Sequence, residues 1–348
     1  MAQKVTVTTI AKEAGVSVGT VSYVLSGQAV KRNVAKDTAK RVTQIASDLH
    51  YVPNFWAQSM QTNRTGIISV LFHGMLMNWA DEIMQGILEV LRPKHYTPII
   101  TLYDRMSVLK HDKSGIIREE LAPILRRRDE GVICVPRPNA REDYKTLIRQ
   151  GIPLVFIGQL LNDMTGLEEV SSVMWDNAPA VKTAVQHLIN TGRRRIAFVG
   201  ARHGVQSDNE RFQAFENTLR EAALPINEKW VVWGQTDIGV TAEMIAPMFS
   251  GDGEKPDAIF AINDSVAIEL IKMLADLGIR VPDDVAVVGM GDFFVSAMSG
   301  IGLTTVQEPR EEIGRGCAET VLELIKNPKR KAIHRTITCN GLKIRKTS

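Results

Sequence analysis

The sequence lacks any apolar segment long enough to cross a membrane, since no run approaches the ~18 consecutive apolar residues that a transmembrane helix requires. The N-terminus also lacks the apolar core of a secretory signal peptide, because Lys4, Thr6, Thr8 and Thr9 interrupt it. We therefore expect a cytoplasmic protein without a membrane partner.

Cysteine is scarce, and Cys134, Cys317 and Cys339 lie far apart. An odd number at this spacing argues against a disulfide framework and a paired-cysteine metal site, so we expect buried, unreactive thiols. There is no GxGxxG after a predicted strand, no P-loop, no GxSxG and no metal-spaced pair of histidines. Gly289-Met290-Gly291 supplies only two glycines of the dinucleotide fingerprint. These absences argue against an enzyme, a cofactor and a metal.

Charge is distributed unevenly along the 348 residues, although the net charge is only +3. Residues 1–64 contain eight Lys and Arg against three Asp and Glu, whereas the remainder contains 34 against 36. A basic N-terminal segment indicates either a polyanionic partner for that segment or a solvated helical face, and charge alone does not decide between them.

The first fifty residues show three helical patterns separated by turn residues. Thr6 and Ser17 are predicted N-caps, Gly15 ends the first helix, and Pro53 limits the third. The predicted helices are Val7–Ala14, Val18–Leu25 and Ala35–His50.

From Gly66 onward, short apolar runs alternate with amphipathic patterns, which is typical of buried parallel sheets covered by helices. The length suits two doubly wound halves better than one. The predicted strands are Ile67–Phe72, Thr97–Leu102, Gly131–Val135, Leu154–Ile157, Ile196–Val199, Ala258–Ile262 and Val285–Gly289. The predicted helices include Trp79–Leu91, Asn177–Ile189, Ser265–Leu277 and Glu311–Lys326.

Six short segments of the N-terminal region, in this order and at matching spacing, resemble the lactose-repressor (LacI/GalR) family of bacterial transcriptional regulators. They are Val5-Thr6, Ile10-Ala11, Ala14-Gly15-Val16-Ser17, Thr20-Val21-Ser22, Val24-Leu25 and Tyr51-Val52-Pro53-Asn54. The remaining sequence resembles this family too. The resemblance implies an all-α helix-turn-helix head on an α/β body of two doubly wound lobes, similar to periplasmic binding proteins.

The resemblance also implies the division of the chain. We expect the head at 1–52, a hinge helix and linker at 53–65, and an effector-binding and dimerisation body at 66–348. The first lobe is expected at about 66–160 and 307–337, and the second at about 161–306 and 338–348.

A helix-turn-helix unit places the N-terminal part of its second helix in the major groove. Hydroxyl groups at that end favour phosphate contact through the helix dipole and free amides. By resemblance, Val18, Gly19 and Tyr23 stand where family members read bases, and the loop with Lys31 and Arg32 is longer than in the lactose repressor. The expected DNA-contacting residues are Thr6, Ser17, Val18, Gly19, Thr20, Ser22, Tyr23, Lys31, Arg32, Asn54, Ala57 and Met60.

The run Asn54–Met60 resembles the family's hinge helix, which folds on operator DNA and inserts an apolar wedge into the minor groove. Met60 takes the wedge position and Ala57 the small groove-facing position. A plain linker is the alternative interpretation.

In the family, the two lobes close on a small-molecule effector. Arg211 lies in a segment similar to the one whose arginine holds the effector, although a surface cation is the alternative. Asp264 is either a ligand or a helix cap, and Trp79 either stacks on the ligand or packs in the core. The expected effector-contacting residues are His73, Asn78, Trp79, Arg211, Asn263, Asp264 and Asp292.

Gly158 and Gly291 stand where family members have carboxylates that bind sugars. We expect them to leave room, and we expect Arg211 to lack a nearby anion, with neutralisation by Asp208 or Glu210 as the alternative. On that reasoning the effector is a sugar or sugar derivative, with an acidic or phosphorylated one preferred to a neutral hexose.

The sequence thus predicts a repressor that binds operator DNA as a homodimer under effector control. Since the chain ends at Ser348, soon after its last predicted strand, we expect no tetramer. A transcriptional activator of the same family is the alternative, and a solute-binding protein or a hydride-transfer enzyme is a more distant one.

Overall fold

A computed structural model describes residues 5–52, 59, 64–73, 79–103, 116–136, 140–158, 166–167, 169–201, 206–234, 239–339 and 341–348. The chain divides into two compact units, residues 1–66 and residues 67–348. The first unit is the head and the second the body.

Residues 5–52 of the head form three helices at the positions that the sequence predicts, with the third slightly shorter. They are α1 Val7–Ala14, α2 Val18–Leu25 and α3 Lys36–Asp48. Their apolar faces form one small core of Ile10, Ala11, Ala14, Val21, Val42 and Ala46. Gly15 adopts φ 65°, a left-handed conformation that ends α1 and turns the chain into α2.

The described residues of the body form two six-stranded sheets, and an α-helix lies between most consecutive strands. The strands are β1 Ile67–His73, β2 Thr97–Tyr103, β3 Gly131–Cys134, β4 Leu154–Ile157, β5 Ser171–Asp176, β6 Ile196–Ala201, β7 Val231–Gly234, β8 Ala258–Ala261, β9 Ala286–Gly291, β10 Thr304–Gln307, β11 His334–Thr338 and β12 Leu342–Lys343. The helices are α4 Trp79–Leu91, α5 Ile116–Arg127, α6 Arg141–Arg149, α7 Asn177–Asn190, α8 Gln206–Glu221, α9 Ala242–Ile245, α10 Asp264–Asp276 and α11 Arg310–Lys326.

The first sheet has the strand order β11-β5-β4-β3-β1-β2, and all its pairs are parallel. The second has the order β12-β10-β9-β8-β6-β7, with only β12 antiparallel. We refer to the first sheet and its helices as lobe 1 and to the second as lobe 2. The two-lobed α/β architecture predicted from the alternating pattern is therefore confirmed.

The boundary between the lobes differs from the expected one. The sequence places the first crossing at about residue 160, but β5 belongs to the first sheet, so lobe 1 extends to Asp176. The strand was not predicted because Ser171, Ser172 and Asp176 dilute its apolar pattern. The chain crosses again after β10 and after β11, and the final strand β12 joins the second sheet.

Helices α4 and α11 of lobe 1 pack backbone to backbone. A Cβ atom at Gly86 would lie 2.0 Å from the Glu311 carbonyl oxygen, and one at Gly314 would lie 2.0 Å from that of Ile83. Only glycine permits such an approach. This contact holds the N-terminal ends of both helices at the junction of the two lobes.

Candidate functional sites

The second helix of the head begins with a side-chain cap. The Ser17 Oγ accepts a hydrogen bond of 3.1 Å from the Thr20 backbone N–H and lies 2.9 Å from the Thr20 hydroxyl. Helix α1 has a reciprocal cap in which the Thr6 and Thr9 hydroxyls each accept from the other residue's backbone N–H. The predicted caps are confirmed, and they leave the N-terminus of α2 at the surface of the head.

The outer face of α2 carries the residues expected to read bases. Val21 is completely buried, whereas Val18 is 48% exposed and Tyr23 is 37% exposed. A Cβ atom at Gly19 would meet only the Ser17 Oγ, at 3.7 Å, so this face is open at that position. Val18 and Tyr23 therefore lie on the solvent-facing side of α2, opposite the core residue Val21.

The loop after α2 adds positive charge beside this face. Lys31 and Arg32 are exposed, and the Arg32 guanidinium lies 5.0 Å from the centre of the Tyr23 ring. A cation at this distance is attracted to the ring by a cation–π interaction. The expected hinge residues Asn54, Ala57 and Met60 lie outside the described residues.

In lobe 1, aromatic side chains gather where the strands end. Trp79, at the start of α4, packs against Phe72 at 6.2 Å and against Trp175 at 6.3 Å between ring centres. A Cβ atom at Gly158 would lie 3.7 Å from the Trp175 ring. The carboxyl ends of parallel strands are the usual ligand position in open α/β sheets. Trp79 is thus partly core and partly available at this edge, while the His73 side chain and Asn78 lie outside the described residues.

In lobe 2, Arg211 is buried and hydrogen-bonded to three other residues. Its Nε donates to the Asn177 Oδ1 at 3.0 Å, and one terminal nitrogen donates to the Ile262 carbonyl at 2.8 Å. The other donates to the Glu308 Oε1 at 2.6 Å. The expectation that Arg211 lacks a nearby anion is therefore wrong, because Glu308 neutralises it.

The two residues that follow β8 have different environments. Asn263 is partly buried and caps α10 through a 2.9 Å bond from the Val266 N–H to its Oδ1. Asp264 is fully buried and accepts from the Ser296 hydroxyl, the Thr305 hydroxyl and the Phe293 N–H at 2.5, 2.5 and 2.9 Å. Burial raises the pKa of Asp264, although these hydrogen bonds oppose the shift. Asp264 therefore organises the chain around residues 293–296, and both its oxygens are engaged by the protein.

The space expected at Gly291 is filled. A Cβ atom at Gly291 would lie 3.0 Å from the Phe293 ring, and its φ of 141° disfavours any other residue. The neighbouring Asp292 is held by Arg345 through a 2.6 Å ion pair. Of the two missing carboxylates, only the one at Gly158 leaves room beside a potential ligand.

Arg310, at the start of α11, connects the lobes. Its side chain is fully buried and forms a two-bond ion pair with Glu82 of α4, at 2.8 and 3.2 Å. It also donates to the carbonyl of Gly291 and, at 3.0 Å, to that of Asp292, both in lobe 2. The guanidinium lies 5.3 Å from the centre of the Phe293 ring. One side chain of lobe 1 thus fixes the end of β9 in lobe 2.

A cavity of about 380 Å³ lies beside the first crossing between the lobes, within the usual size range of ligand pockets. Its walls include Trp175, Asp176, Glu210, Gln213 and Asn217. None of the seven residues expected to contact the effector lines it. Trp175 borders both this cavity and the aromatic group that includes Trp79.

Comparison with known families accounts for both units. Residues 6–54 match the model of bacterial regulatory proteins, lacI family, and residues 185–348 match the periplasmic binding protein-like domain. The chain belongs to the lacI family of bacterial regulators. It is a DNA-binding transcriptional regulator with an effector-binding body, and not an enzyme.

Relatives of this lacI-family chain align along most of its length. It is 27% identical over 327 residues to the HTH-type transcriptional repressor PurR of Vibrio parahaemolyticus, covering 92% of each chain. It is 28% identical over 311 residues to catabolite control protein A of Priestia megaterium, covering 89% of each.

Solved structures show the same fold. The complex of the transcriptional regulator CelR with cellobiose has a TM-score of 0.68 at 26% identity, covering 99% of this chain and 100% of the other. The lac repressor dimer bound to operator and the anti-inducer ONPF has a TM-score of 0.78 at 21% identity, covering 99% of both chains.

Four residues of this lacI-family site escaped the sequence analysis: Asn177, Trp175, Glu308 and Arg310. Trp175 lies in β5 and Asn177 directly after it, and both were missed because the polar ends of β5 obscured the strand pattern. Glu308 and Arg310 follow β10, and their separation by one proline gave no periodic signal. Charged residues directly after a strand were the one available clue.

Among the residues that the structure describes, no group of His, Cys, Asp and Glu could hold a metal ion. No helix in the same part of the chain is long and apolar enough to span a membrane. Cys134 and Cys317 are buried as expected, whereas Cys339 is only partly buried. Burial raises the pKa of Cys339 to about 12, which disfavours the reactive thiolate.

Proposed function

We propose that this protein is a repressor that binds a pseudo-palindromic operator as a dimer, through the exposed face of α2. The observation that supports it is the pairing of a capped, surface-exposed α2 N-terminus with Val18, Gly19 and Tyr23 on its outer face. Apolar Val18 suits a thymine methyl group, and Tyr23 offers one hydrogen bond to a base edge. Residues 1–52 are the proposed reading head, and 53–65, with Asn54, Ala57 and Met60, the proposed hinge.

Exposed apolar residues of the body support a dimer. Phe294 is 77% exposed and Met298 is 50% exposed on lobe 2, while Ile100 and Leu102 are nearly half exposed on the edge strand β2 of lobe 1. A second copy of the chain would cover such residues, and a two-fold protein matches a two-fold operator. Sedimentation of the wild type and of a Phe294→Ser, Met298→Ser variant tests this directly. A wild type that stays monomeric at micromolar concentration contradicts the proposal.

Selection of binding sites from random duplexes tests the DNA-binding proposal. The expected product is a pseudo-palindrome of about 16–20 base pairs with half-sites about one helical turn apart. Tyr23→Ala should relax the sequence preference, whereas Gln44→Ala, an exposed control on α3, should not. Recovery of asymmetric sites alone would contradict a dimer reading a palindrome. A reporter gene with the selected site downstream of its promoter then separates repression from activation in the cytoplasm, where we expect the protein to act.

We further propose that the effector is a neutral sugar or sugar derivative bound between the lobes, near Trp79 and Trp175. Aromatic rings commonly pack against sugar faces, and Gly158 leaves room beside Trp175. Because Glu308 already neutralises Arg211, no uncompensated cation there calls for an anionic ligand. The binding of cellobiose by CelR, one of the structural neighbours, also supports a sugar.

Tryptophan fluorescence offers a direct test of this effector class. Neutral mono- and disaccharides, sugar phosphates and nucleosides would be titrated into the wild type and into Trp175→Ala. We expect a neutral sugar to change the emission of the wild type and to bind Trp175→Ala at least tenfold more weakly. Trp230→Phe, a buried residue remote from the first sheet, is the control for general tryptophan replacement. Tight binding of a sugar phosphate alone would contradict the neutral class.

A further inference from the structure

The amino edge of the first sheet is unusually basic. Since every strand pair of this sheet is parallel, the segments that enter its strands all lie along one edge. We define this basic edge as segments 64–66, 91–96, 127–130, 149–153, 166–170 and 326–333. Their sequences contain ten Lys and Arg against four Asp and Glu. The cations are Arg64, Arg92, Lys94, Arg127, Arg128, Arg149, Lys326, Lys329, Arg330 and Lys331.

Hydrogen bonds join several of these segments. The Tyr96 hydroxyl donates to the Glu130 carboxylate at 3.2 Å, and the Glu130 N–H donates to the Ile67 carbonyl at 2.8 Å. At the other end, the Ile333 N–H donates to the Ser171 hydroxyl at 2.9 Å. Six strands at ~4.8 Å spacing make the edge about 24 Å wide, comparable with the width of a DNA duplex.

Helix polarity does not account for this excess. Cations are favoured at helix C-termini, and helices of both lobes end at the amino edges of their sheets. The corresponding segments of the second sheet, 190–195, 221–230, 248–257, 276–285 and 298–303, contain six Lys and Arg against eight Asp and Glu. Moreover, Lys329, Arg330 and Lys331 lie beyond the end of α11.

Five of the ten cations are available to a partner, whereas Arg127 and Arg149 already pair with Asp129 and Glu142. Arg92, Lys94, Lys326, Lys329 and Lys331 are exposed, and none of them forms an ion pair with another described residue. Arg330 is exposed and pairs with Glu323 at 3.1 Å. These unpaired cations form two groups, before β2 and before β11, at opposite ends of the edge. Each group raises the local positive potential and attracts polyanions.

The DNA that the head binds is the polyanion nearest to this edge. Strand β1 begins at this edge, at Ile67, and residues 53–66 join it covalently to the DNA-binding head. Fourteen residues span at most about 50 Å, so DNA bound by the head is tethered within that distance of the basic edge. Tethering converts a weak electrostatic contact into an intramolecular one at high effective concentration.

We propose that the basic edge of lobe 1 is a second DNA-contacting surface, which binds the phosphate backbone and carries no sequence information. This inference rests on the proposed function. If the head selects the operator, the body adds a salt-sensitive contribution to DNA affinity that does not depend on the operator sequence.

The test uses the full-length protein and a 40-base-pair duplex of random sequence. The dissociation constant is measured between 50 and 200 mM NaCl for the wild type and for the triple variant Lys326→Gln, Lys329→Gln, Lys331→Gln. The matched control is Lys229→Gln, Lys255→Gln, Lys343→Gln, three exposed cations of lobe 2. If all three edge lysines contact phosphates, the wild type should lose about 40-fold more affinity over this range than the triple variant, and a single contact gives about threefold. The control should follow the wild type.

A second measurement on the selected operator sharpens the outcome. The edge variant should weaken operator and random duplex by the same factor, because phosphate contacts are independent of sequence. If the wild type binds DNA and the edge variant has the same salt dependence as the wild type, the basic edge does not contact DNA, and an acidic protein becomes the partner that its charge fits. If the full-length wild type binds no duplex at all, the proposed function fails and this surface with it.

Discussion

Replacement of Arg310 by alanine should destabilise the body far more than replacement of Arg315, although both arginines project from α11 toward α4. Arg310 is fully buried, pairs with Glu82 through two hydrogen bonds, and donates to two carbonyls of lobe 2. Arg315 is 35% exposed and pairs at 2.5 Å with Glu89, which is 54% exposed. Both arginines form an ion pair with α4, so a difference between the two variants reports on the burial of Arg310 and on its contact with lobe 2.

The expected magnitudes follow from what each truncation leaves behind. Arg310→Ala leaves Glu82 without its cation, removes a neighbour 3.6 Å from the buried Glu308, and deprives two carbonyls of a donor. Breaking a fully buried, hydrogen-bonded pair costs about 3–5 kcal/mol, and because Glu82 is 37% exposed we expect a loss near the lower end, about 3–4 kcal/mol. Breaking a solvent-exposed pair such as that of Arg315 costs about 0.2–1 kcal/mol. The difference is large enough to measure on single variants.

Urea unfolding followed by tryptophan fluorescence is the assay, because four of the five tryptophans lie in the body. With a slope near 3 kcal/mol per molar urea, the Arg310→Ala midpoint should fall by about 1–1.5 M, and the Arg315→Ala midpoint by no more than about 0.3 M. A double-mutant cycle with Glu82→Gln then measures the coupling within the pair. Equal midpoints for the two alanine variants would refute the idea that Arg310 joins the lobes.

Three further outcomes can be checked in the same way. Burial raises the pKa of Asp264 above its ordinary value of 3.8, so its favourable contribution is complete below that value and declines as pH rises through the raised pKa. Asp264→Asn should therefore cost more stability in urea at pH 4.5 than at pH 8. Asp284→Asn should cost the same at both, because Arg280 lowers the pKa of Asp284 to about 2, and a larger cost for Asp264→Asn at pH 8 would contradict this sign. Gly19→Gln should alter the selected operator sequence without changing the free energy of unfolding of the head by more than about 1 kcal/mol, since a Cβ atom at position 19 meets only the Ser17 Oγ. An unchanged operator would show that position 19 faces away from DNA. Arg211→Ala should destabilise the body by about 3 kcal/mol in ligand-free protein, the lower end of the range for a broken buried pair, because Glu308 loses its 2.6 Å partner and keeps only Arg310, at 3.6 Å. A variant as stable as the wild type would contradict a structural role.

The head was predictable almost residue by residue. Its signals are local: Thr6 and Ser17 cap helices because their hydroxyls reach a backbone N–H three residues ahead, and Gly15 ends α1 because it tolerates a positive φ. The strands β3 and β4 were also recognisable, because a strand buried on both faces is apolar throughout. Strand β5 was missed because Ser171, Ser172 and Asp176 dilute its apolar pattern, and its pairing with β11, more than 150 residues further along the chain, leaves no local signal.

The effector site shows the limit of the same reasoning. The sequence by itself determined the family, the two-lobed α/β architecture and the position of Arg211, since these depend on local patterns and aligned motifs. It did not determine which carboxylate neutralises Arg211, because Glu308 is 97 residues away and the choice among all acids depends on how β10 lies beside α8. Nor did it show that Phe293 fills the space at Gly291, or that Arg310 reaches across to β9. Caps and turns are decided within a few residues, whereas burial and charge pairing arise from segments that become neighbours only when the chain has folded. Only the tertiary structure therefore decided which of these groups are free for a ligand and which the protein uses itself.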